Sequence, residues 1–196
     1  AAIKMTMNDY VFLKSDDVEG DKDLMARAVD AVAKSSLPRL EKFREMELNN
    51  LAYALARLER KEYPELLKGI ANQFGHHWRQ KFDGQDIGTT MWAFATLEYF
   101  DADSFRMIAS KIRLDRINKY RPQELSNMVW AAATASVVPK YLDAFDTSLV
   151  SKRPSFASIQ DDPITVMFAV AAKELMNRPE IFKTQEIKDT LWAFSK

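Results

Sequence analysis

One short pattern occurs five times in the chain and constrains its fold more than any other feature. Each copy opens with an acidic residue, places an aromatic residue six positions later and follows it with alanine. The aromatic residues are Tyr53, Trp92, Trp130, Phe168 and Trp192. The first three steps between them are nearly equal, and the step from Phe168 to Trp192 is much shorter. A sequence that repeats itself every ~38 residues is typical of a repeat protein.

The spacing of apolar residues within each copy predicts a helix. Leu48, Leu51 and Leu55 of the first copy follow one another at steps of three and four residues, which is the period of an amphipathic helix. A second apolar segment follows, and Pro64 stands where that helix can begin. Only 5 of the 196 residues are Gly and 7 are Pro, which also favours helices. The sequence therefore predicts an all-α fold, an α-solenoid of stacked helical hairpins with repeats of about 38 residues.

The repeat divides the chain into a short N-terminal part and a longer array. Residues 1–42 are predicted to be a degenerate repeat or a cap, and residues 43–196 form the repeat array. The predicted units are 43–81, 82–119, 120–157, 158–181 and a partial unit 182–196. The short step from Phe168 to Trp192 leaves no room for a full hairpin. Either the unit 158–181 has lost its second helix, or the sequence is discontinuous there.

A second face of each predicted helix carries a small polar residue, the alanine and a variable third residue. In a stacked array this face lines a groove that fits single-stranded RNA, with Asn and Thr reaching base edges. The candidate groove residues are Asn50, Arg57, Thr89, Thr96, Asn127, Thr134 and Thr165. The same columns also fit a structural role, in which alanine allows close helix approach and Asn or Thr bonds to the backbone. We expect the aromatic column to pack in the core rather than to stack on bases.

Charge is balanced overall but sorted along the chain. The sequence has 28 basic and 28 acidic residues. Residues 82–103 contain five acids and no Lys or Arg, whereas residues 104–121 contain six basic residues and one acid. Basic side chains that contact phosphate make RNA binding sensitive to salt. The candidate phosphate contacts are Arg60, Lys61, Arg79, Lys81, Arg106, Lys111, Arg113, Arg116, Lys119 and Arg121.

The residues that support catalysis or metal binding are scarce. The chain has no Cys, and its two histidines are the adjacent His76 and His77, which point about 100° apart on a helix and do not form a chelating pair. A Gly-rich phosphate loop, a zinc-protease motif and a nucleophile elbow are all absent from the sequence. We predict that the protein is not an enzyme and that it needs no cofactor or metal.

Two copies resemble a known repeat. The segments Gln123 to Ala133 and Gln85 to Leu97 are similar to the octotricopeptide repeat and to its apicomplexan heptatricopeptide relatives. The resemblance covers residues 43–196. It implies a solenoid of paired helices that works in mitochondria or plastids and binds organellar transcripts or ribosomal RNA.

Two functions are therefore expected as alternatives. The first is an organellar RNA-binding protein within a ribonucleoprotein such as a mitochondrial ribosome, located in the mitochondrion or in a plastid. The second is an accessory subunit that binds other proteins in an organellar complex, such as a respiratory or ATP synthase assembly. We expect Leu191, Trp192 and Phe194 to form a protein interface, because no further helix follows them in this sequence. A membrane span is not expected, since no window has about 20 uninterrupted apolar residues.

Overall fold

The computed structural model describes residues 18–76, 81–113, 119–137 and 162–196, and all regular secondary structure in them is helical. The α-helices are α1 (Val18–Ser36), α2 (Glu45–Arg57), α3 (Pro64–Gly75), α4 (Gly84–Thr96), α5 (Ala102–Ala109), α6 (Pro122–Thr134), α7 (Pro163–Asn177) and α8 (Thr184–Phe194). Short 3-10 helices span Leu37–Lys42 and Pro179–Ile181. The prediction of an all-α fold is confirmed. Residues 138–157 of the predicted unit 120–157 lie outside the described residues.

The chain forms two compact units, residues 1–38 and residues 39–196. The described part of the first unit is essentially the single helix α1, on which Lys34 pairs with Asp30 one turn earlier at 2.7 Å. The second unit contains α2 to α8 and all the residues predicted to bind RNA or protein. No helix in the described ranges combines the length and the apolar character that a membrane crossing requires.

The helices of the second unit pack in two rows. In the first row, α2 packs on α4, α4 on α6 and α6 on α8; in the second row, α3 packs on α5 and α5 on α7. The starts of neighbouring helices meet along the first row, since a Cβ on Gly88 of α4 would lie 2.9 Å from the carbonyl oxygen of Glu124 in the first turn of α6, and the rings of the equivalent residues Tyr53 and Trp92 lie 5.7 Å apart. The helices α2, α4 and α6 therefore run parallel.

The opening acid of the repeat caps the start of each first-row helix. Its carboxylate lies at the third position of the first turn and accepts the backbone N–H three residues earlier, which would otherwise have no partner in the helix. The four acids are Glu47, Asp86, Glu124 and Glu186, and the N–H groups of Arg44, Asp83, Arg121 and Lys183 donate to them at 2.8, 3.2, 2.9 and 2.7 Å. The aromatic residue just before each cap is in the hydrophobic-staple position. These residues are Phe43, Phe82, Tyr120 and Phe182.

Three first-row helices end in the same way. Glu59, Glu98 and Ser136 have positive φ values of 54°, 57° and 54°. The residue after each of them donates its backbone N–H to a carbonyl oxygen five residues earlier, as in a Schellman motif. One example is the bond from the Tyr99 N–H to the Phe94 carbonyl at 2.9 Å. This left-handed residue stops the helix and turns the chain toward the second row. The first row thus has repeated chemistry at both ends of its helices.

The placement of α7 differs from the sequence prediction. Aligned on Phe168, residues 162–169 were expected to begin a first helix like the other copies, but α7 packs against α5 and α6 and belongs to the second row. Its cap agrees, because Asp162 is itself the N-cap and accepts the N–H and hydroxyl of Thr165 at 3.0 and 2.8 Å. In α5, Asp101 accepts the N–H and hydroxyl of Ser104 in the same way. The short step from Phe168 to Trp192 therefore runs from a second-row helix to the next first-row helix.

The core lies between the two rows. Phe74, Phe94 and Phe105 are fully buried there, and the Phe74 ring stacks on Phe82 with 3.8 Å between centroids. Large apolar side chains of this kind supply most of the burial that holds helix pairs together. The side of the first row that faces away from the second row carries the repeated aromatic residues of α2, α4, α6 and α8.

Candidate nucleic-acid interface

The aromatic residues of the first-row helices lie on the outer face of the row. Tyr53 is 43% exposed and Trp192 is 38% exposed, while Trp92 and Trp130 are half-buried. The expectation that this column packs in the core is wrong for Tyr53 and Trp192, which are exposed, and is met only in part by Trp92 and Trp130, which are half-buried. The physical reason is helical geometry, since a residue five places after the first core position lies about 140° around the helix from it. Only Phe168, which belongs to the second row, is buried at 3% exposure.

Tyr53, Trp92, Trp130 and Trp192 together form what we call the aromatic row. The Tyr53 and Trp92 rings are tilted by 38° and touch across adjacent helices. Trp130 and Trp192 occupy the equivalent positions of α6 and α8. The ammonium group of Lys196 lies 5.1 Å from the centre of the Trp192 ring, within range of a cation–π interaction. Exposed aromatic rings in series are a common platform for stacking unpaired bases.

Six of the seven predicted groove residues lie beside the aromatic row. They stand three residues before or four residues after an aromatic residue, which places them on the same helix face. Asn50 and Arg57 are exposed, and Thr89, Thr96, Asn127 and Thr134 are half-buried. Thr165 is the exception, because it lies in the first turn of α7 in the second row, where it donates to the N-cap Asp162, and is not on this face.

The alanine that follows each aromatic residue has a packing role. Ala93, Ala131 and Ala193 are fully buried, whereas Ala54 on α2 is exposed. The backbones of α4 and α6 approach so closely that a Cβ on Gly88 would meet Glu124 backbone atoms. Small residues are needed where helices approach in this way. The structural interpretation of the alanine column is thus supported, and the polar positions on either side remain available to a ligand.

The capping acid of α4 lies in an unfavourable environment for charge. Burial raises the pKa of the Asp86 carboxyl to about 6, and the nearby charges of Asp83 and Glu45 act in the same direction. Hydrogen bonds from the Asp83 backbone and the Asn49 side chain oppose the rise. Asn49 is buried, and its Oδ1 has no hydrogen-bond partner within the described structure. The contact between α2 and α4 therefore contains a carboxyl that takes up a proton at mildly acidic pH.

The predicted phosphate contacts do not form one patch. We call the end of the first row where its helices begin the leading edge, and the end where they finish the trailing edge. Arg60 and Lys61 lie at the trailing edge, where they pair with Glu62 at 2.5 Å and Glu98 at 2.7 Å. Arg106 is on α5 and lies near Asp103 and Asp162, at 3.6 and 3.5 Å. These three cations already face carboxylates.

The remaining described candidates lie at or near the leading edge. They are Lys81, Lys111, Arg113, Lys119 and Arg121. The Lys111 ammonium donates to the His76 carbonyl at 2.8 Å, and burial lowers its pKa. The Arg121 guanidinium donates to Glu124 at 2.6 Å and to Gln85 at 2.9 Å. Arg79 and Arg116 lie outside the described residues. The predicted phosphate contacts were identified from their positive charge alone. Which of them lie at the leading edge and which at the trailing edge depends on how the helices pack.

The predicted protein interface is only partly exposed. Leu191 is 54% exposed and adjoins Trp192. Phe194 was expected to have no helix to pack on, but it is half-buried and its ring lies 5.8 Å from that of Phe168. In the described ranges, no group of three or more His, Cys, Asp or Glu residues could hold a metal ion.

No family model matches the chain, and neither a curated protein nor a solved structure matches it. The resemblance to the octotricopeptide repeat therefore stays a prediction, and function is argued from the geometry of the two rows.

Proposed function

We propose that this chain is a helical-repeat protein that binds single-stranded RNA on its aromatic row. The observation that carries the proposal is that Tyr53, Trp92, Trp130 and Trp192 lie at equivalent positions on the outer face of neighbouring helices, where Tyr53 and Trp192 are exposed and Trp92 and Trp130 are half-buried. Rings that served packing alone would enter the core, as Phe168 does. A repeated line of aromatic rings that reach the surface instead provides successive stacking surfaces for unpaired bases.

Polar residues on either side of the rings complete the proposed interface. Asn50, Thr89 and Asn127 stand one helical turn before their aromatic residues and offer donors and acceptors to base edges or ribose hydroxyls. Stacking contributes about 1–3 kcal/mol per base and tolerates any sequence, because every base has a flat face. The hydrogen-bonding residues would then supply whatever sequence preference the protein has.

The repeat architecture belongs to the same proposal. The pairs α2–α3, α4–α5 and α6–α7 are the hairpins of an α-solenoid, and α8 is the first helix of the next hairpin. The first-row steps from Tyr53 to Trp92 and from Trp92 to Trp130 are nearly equal, as a regular repeat requires. Residues 138–161, between α6 and α7, lie outside the described residues.

The proposed setting comes from the resemblance alone. An octotricopeptide-like protein would act in a mitochondrion, or alternatively in a plastid, on an organellar transcript or on ribosomal RNA. It would work as a non-catalytic component of a ribonucleoprotein such as a mitochondrial ribosome.

Binding of a labelled oligouridine, measured by fluorescence anisotropy, tests the proposal. Trp92→Ala and Trp130→Ala should each weaken binding by about 1–3 kcal/mol, roughly 5- to 150-fold, because each removes one stacking surface. Phe100→Ala is a matched control, since Phe100 is an exposed aromatic residue outside the aromatic row. Equal losses from Phe100→Ala and from the Trp variants, or no measurable binding by the unmodified chain, would contradict the proposal.

A protein partner is the second candidate, and one observation favours it. The exposed Leu191 adjoins the exposed Trp192 on α8, which gives an apolar surface on a chain of zero net charge. If this surface binds protein, Leu191→Ser should release a protein from the purified native assembly. The same variant should leave the affinity for oligouridine unchanged, because Leu191 is not in the aromatic row.

A further inference from the structure

The two edges of the first row differ in charge. At the trailing edge, the turn after α4 carries Glu98 and Asp101, the first turn of α5 carries Asp103, and neither carries a basic residue. Lys61, which follows α2, comes to the same edge and pairs with Glu98. The described part of the connection from α5 to α6 instead carries Lys111, Arg113, Lys119 and Arg121 and no acid. Segments that are adjacent in sequence therefore give opposite charge to opposite edges.

Direct contacts place the basic connection at the leading edge. Lys111 donates to the carbonyl oxygen of His76, which ends α3, at 2.8 Å. Arg121 donates to the side chain of Gln85 in the first turn of α4 at 2.9 Å. The described ends of the α5–α6 connection thus lie against the end of α3 and the start of α4. Lys81, which is exposed, precedes α4 at the same edge.

At the starts of α4 and α6, two of the three carboxylates are turned inward. Asp86 and Glu124 are buried, and each accepts the N–H group at the start of its own helix. Glu124 also accepts from the Arg121 guanidinium at 2.6 Å. Asp83 is exposed, but its carboxylate accepts the Asp86 N–H at 2.9 Å. At the starts of α4 and α6 the solvent therefore meets mainly cations, whereas the start of α2 also presents the half-buried Glu45 and Glu47.

We propose that the sugar–phosphate backbone of the bound single strand follows the leading edge, while its bases reach the aromatic row. Lys81, Arg113, Lys119 and Arg121 are the exposed cations that contact phosphates. The parallel starts of α4 and α6 add the positive ends of two helix dipoles to the same edge. The acids Glu98 and Asp103 repel phosphate from the trailing edge. The inference rests on the proposed RNA binding and adds to it the side on which the strand lies.

A salt titration of oligouridine binding separates the two edges. The leading-edge variant is Arg113→Gln with Lys119→Gln, and the trailing-edge control is Arg60→Gln with Lys61→Gln. Arg121 is kept, because it pairs with the acid that caps α6. Both variants remove two positive charges, so their effects on net charge are equal. Urea unfolding of each variant shows that both remain folded.

The unmodified chain should bind with an affinity that falls steeply as salt rises. The leading-edge variant should reduce the slope of log K against log salt by about 1.4, since each lost phosphate contact with a single strand removes about 0.7. The control should leave the slope unchanged. An equal reduction by both variants, or a reduction by the control alone, overturns the inference while RNA binding stands. Absence of binding by the unmodified chain overturns both.

Discussion

The helices α6 and α7 look alike in sequence but take different places in the fold. Both begin at a proline, and both carry an acid, an aromatic residue six positions later and then alanine. In α6 the acid is Glu124 in the first turn, and Trp130 lies at the outer face of the first row. In α7 the acid Asp162 is the N-cap, and Phe168 is buried in the second row. The role of the acid at the helix start, rather than the acid–aromatic spacing, distinguishes the two rows.

The strongest test of this difference is to remove each aromatic side chain. Phe168→Ala should lower the free energy of unfolding by about 3–5 kcal/mol, because the ring is buried and its loss leaves a cavity. Trp130→Ala should cost clearly less, since part of its ring already meets solvent. Urea denaturation of the two variants measures the difference. A larger loss from Trp130→Ala than from Phe168→Ala would contradict the assignment of the rows.

Close packing is the next difference between the rows. Gly88→Ala should destabilise the chain by about 1–3 kcal/mol, because the new Cβ would lie 2.9 Å from the backbone oxygen of Glu124. Gly75→Ala in α3 is the matched control, since its Cβ would meet only the flexible Met107 side chain, at 3.1 Å. Thermal unfolding should show a large shift for the first variant and little change for the second. Equal shifts would mean that α4 and α6 are not in such close contact.

The pH dependence of stability reports on the cap of α4. The pKa of Asp86 is raised from its ordinary value of 3.8 to about 6, so the folded chain holds this proton more tightly than the unfolded chain. The resulting stabilisation is complete below a pH of about 4 and is lost as the pH rises through about 6. Its size is on the order of 1 kcal/mol after allowance for solvent screening.

Asp86→Asn should remove this dependence, because the amide does not titrate in that range. Urea unfolding between pH 4 and pH 8, taken as the difference between the unmodified chain and the variant, isolates the contribution of Asp86. A difference that does not vary across this range would contradict the raised pKa.

The smallest effect concerns the ends of the first-row helices. Ser136 has a positive φ of 54°, so Ser136→Gly should relieve strain and raise stability by up to about 1 kcal/mol. Ser195, which follows α8, has a φ of −82° and serves as the control. Ser195→Gly should be neutral or destabilising, because glycine adds chain entropy there without relieving strain. A gain in stability at both sites would show that the left-handed turn is not the cause.

Local patterns in the sequence predicted the first-row helices but not the row of α7. The apolar spacing predicted α2, α4 and α6 closely, because amphipathic periodicity is a local property. The upstream aromatic residue present before Glu47, Asp86, Glu124 and Glu186 is missing before Asp162. The missing aromatic residue could have indicated from the sequence that α7 begins in a different way from the first-row helices. An alignment based only on the acid–aromatic spacing does not show this difference.

The candidate site was predicted less completely than the fold. The groove positions followed from helical geometry, and the same projection places the aromatic residue on the outer face. The general preference of Trp for buried positions led to the opposite expectation. The two charged edges depend on contacts between distant segments, such as Lys61 with Glu98 and Lys111 with His76. No local pattern reports such contacts, so the division of the basic residues required the packed structure.

Ultraviolet cross-linking to an oligouridine, followed by mass spectrometry of the linked peptides, identifies the RNA-binding surface without mutation of the chain. We expect adducts on peptides that contain Tyr53, Trp92 or Trp130, and their loss when Trp92 and Trp130 are both replaced by Ala. Adducts confined to second-row helices such as α3 and α5, or no adducts under conditions where RNA is bound, would contradict the claim that the aromatic row is the RNA-binding surface.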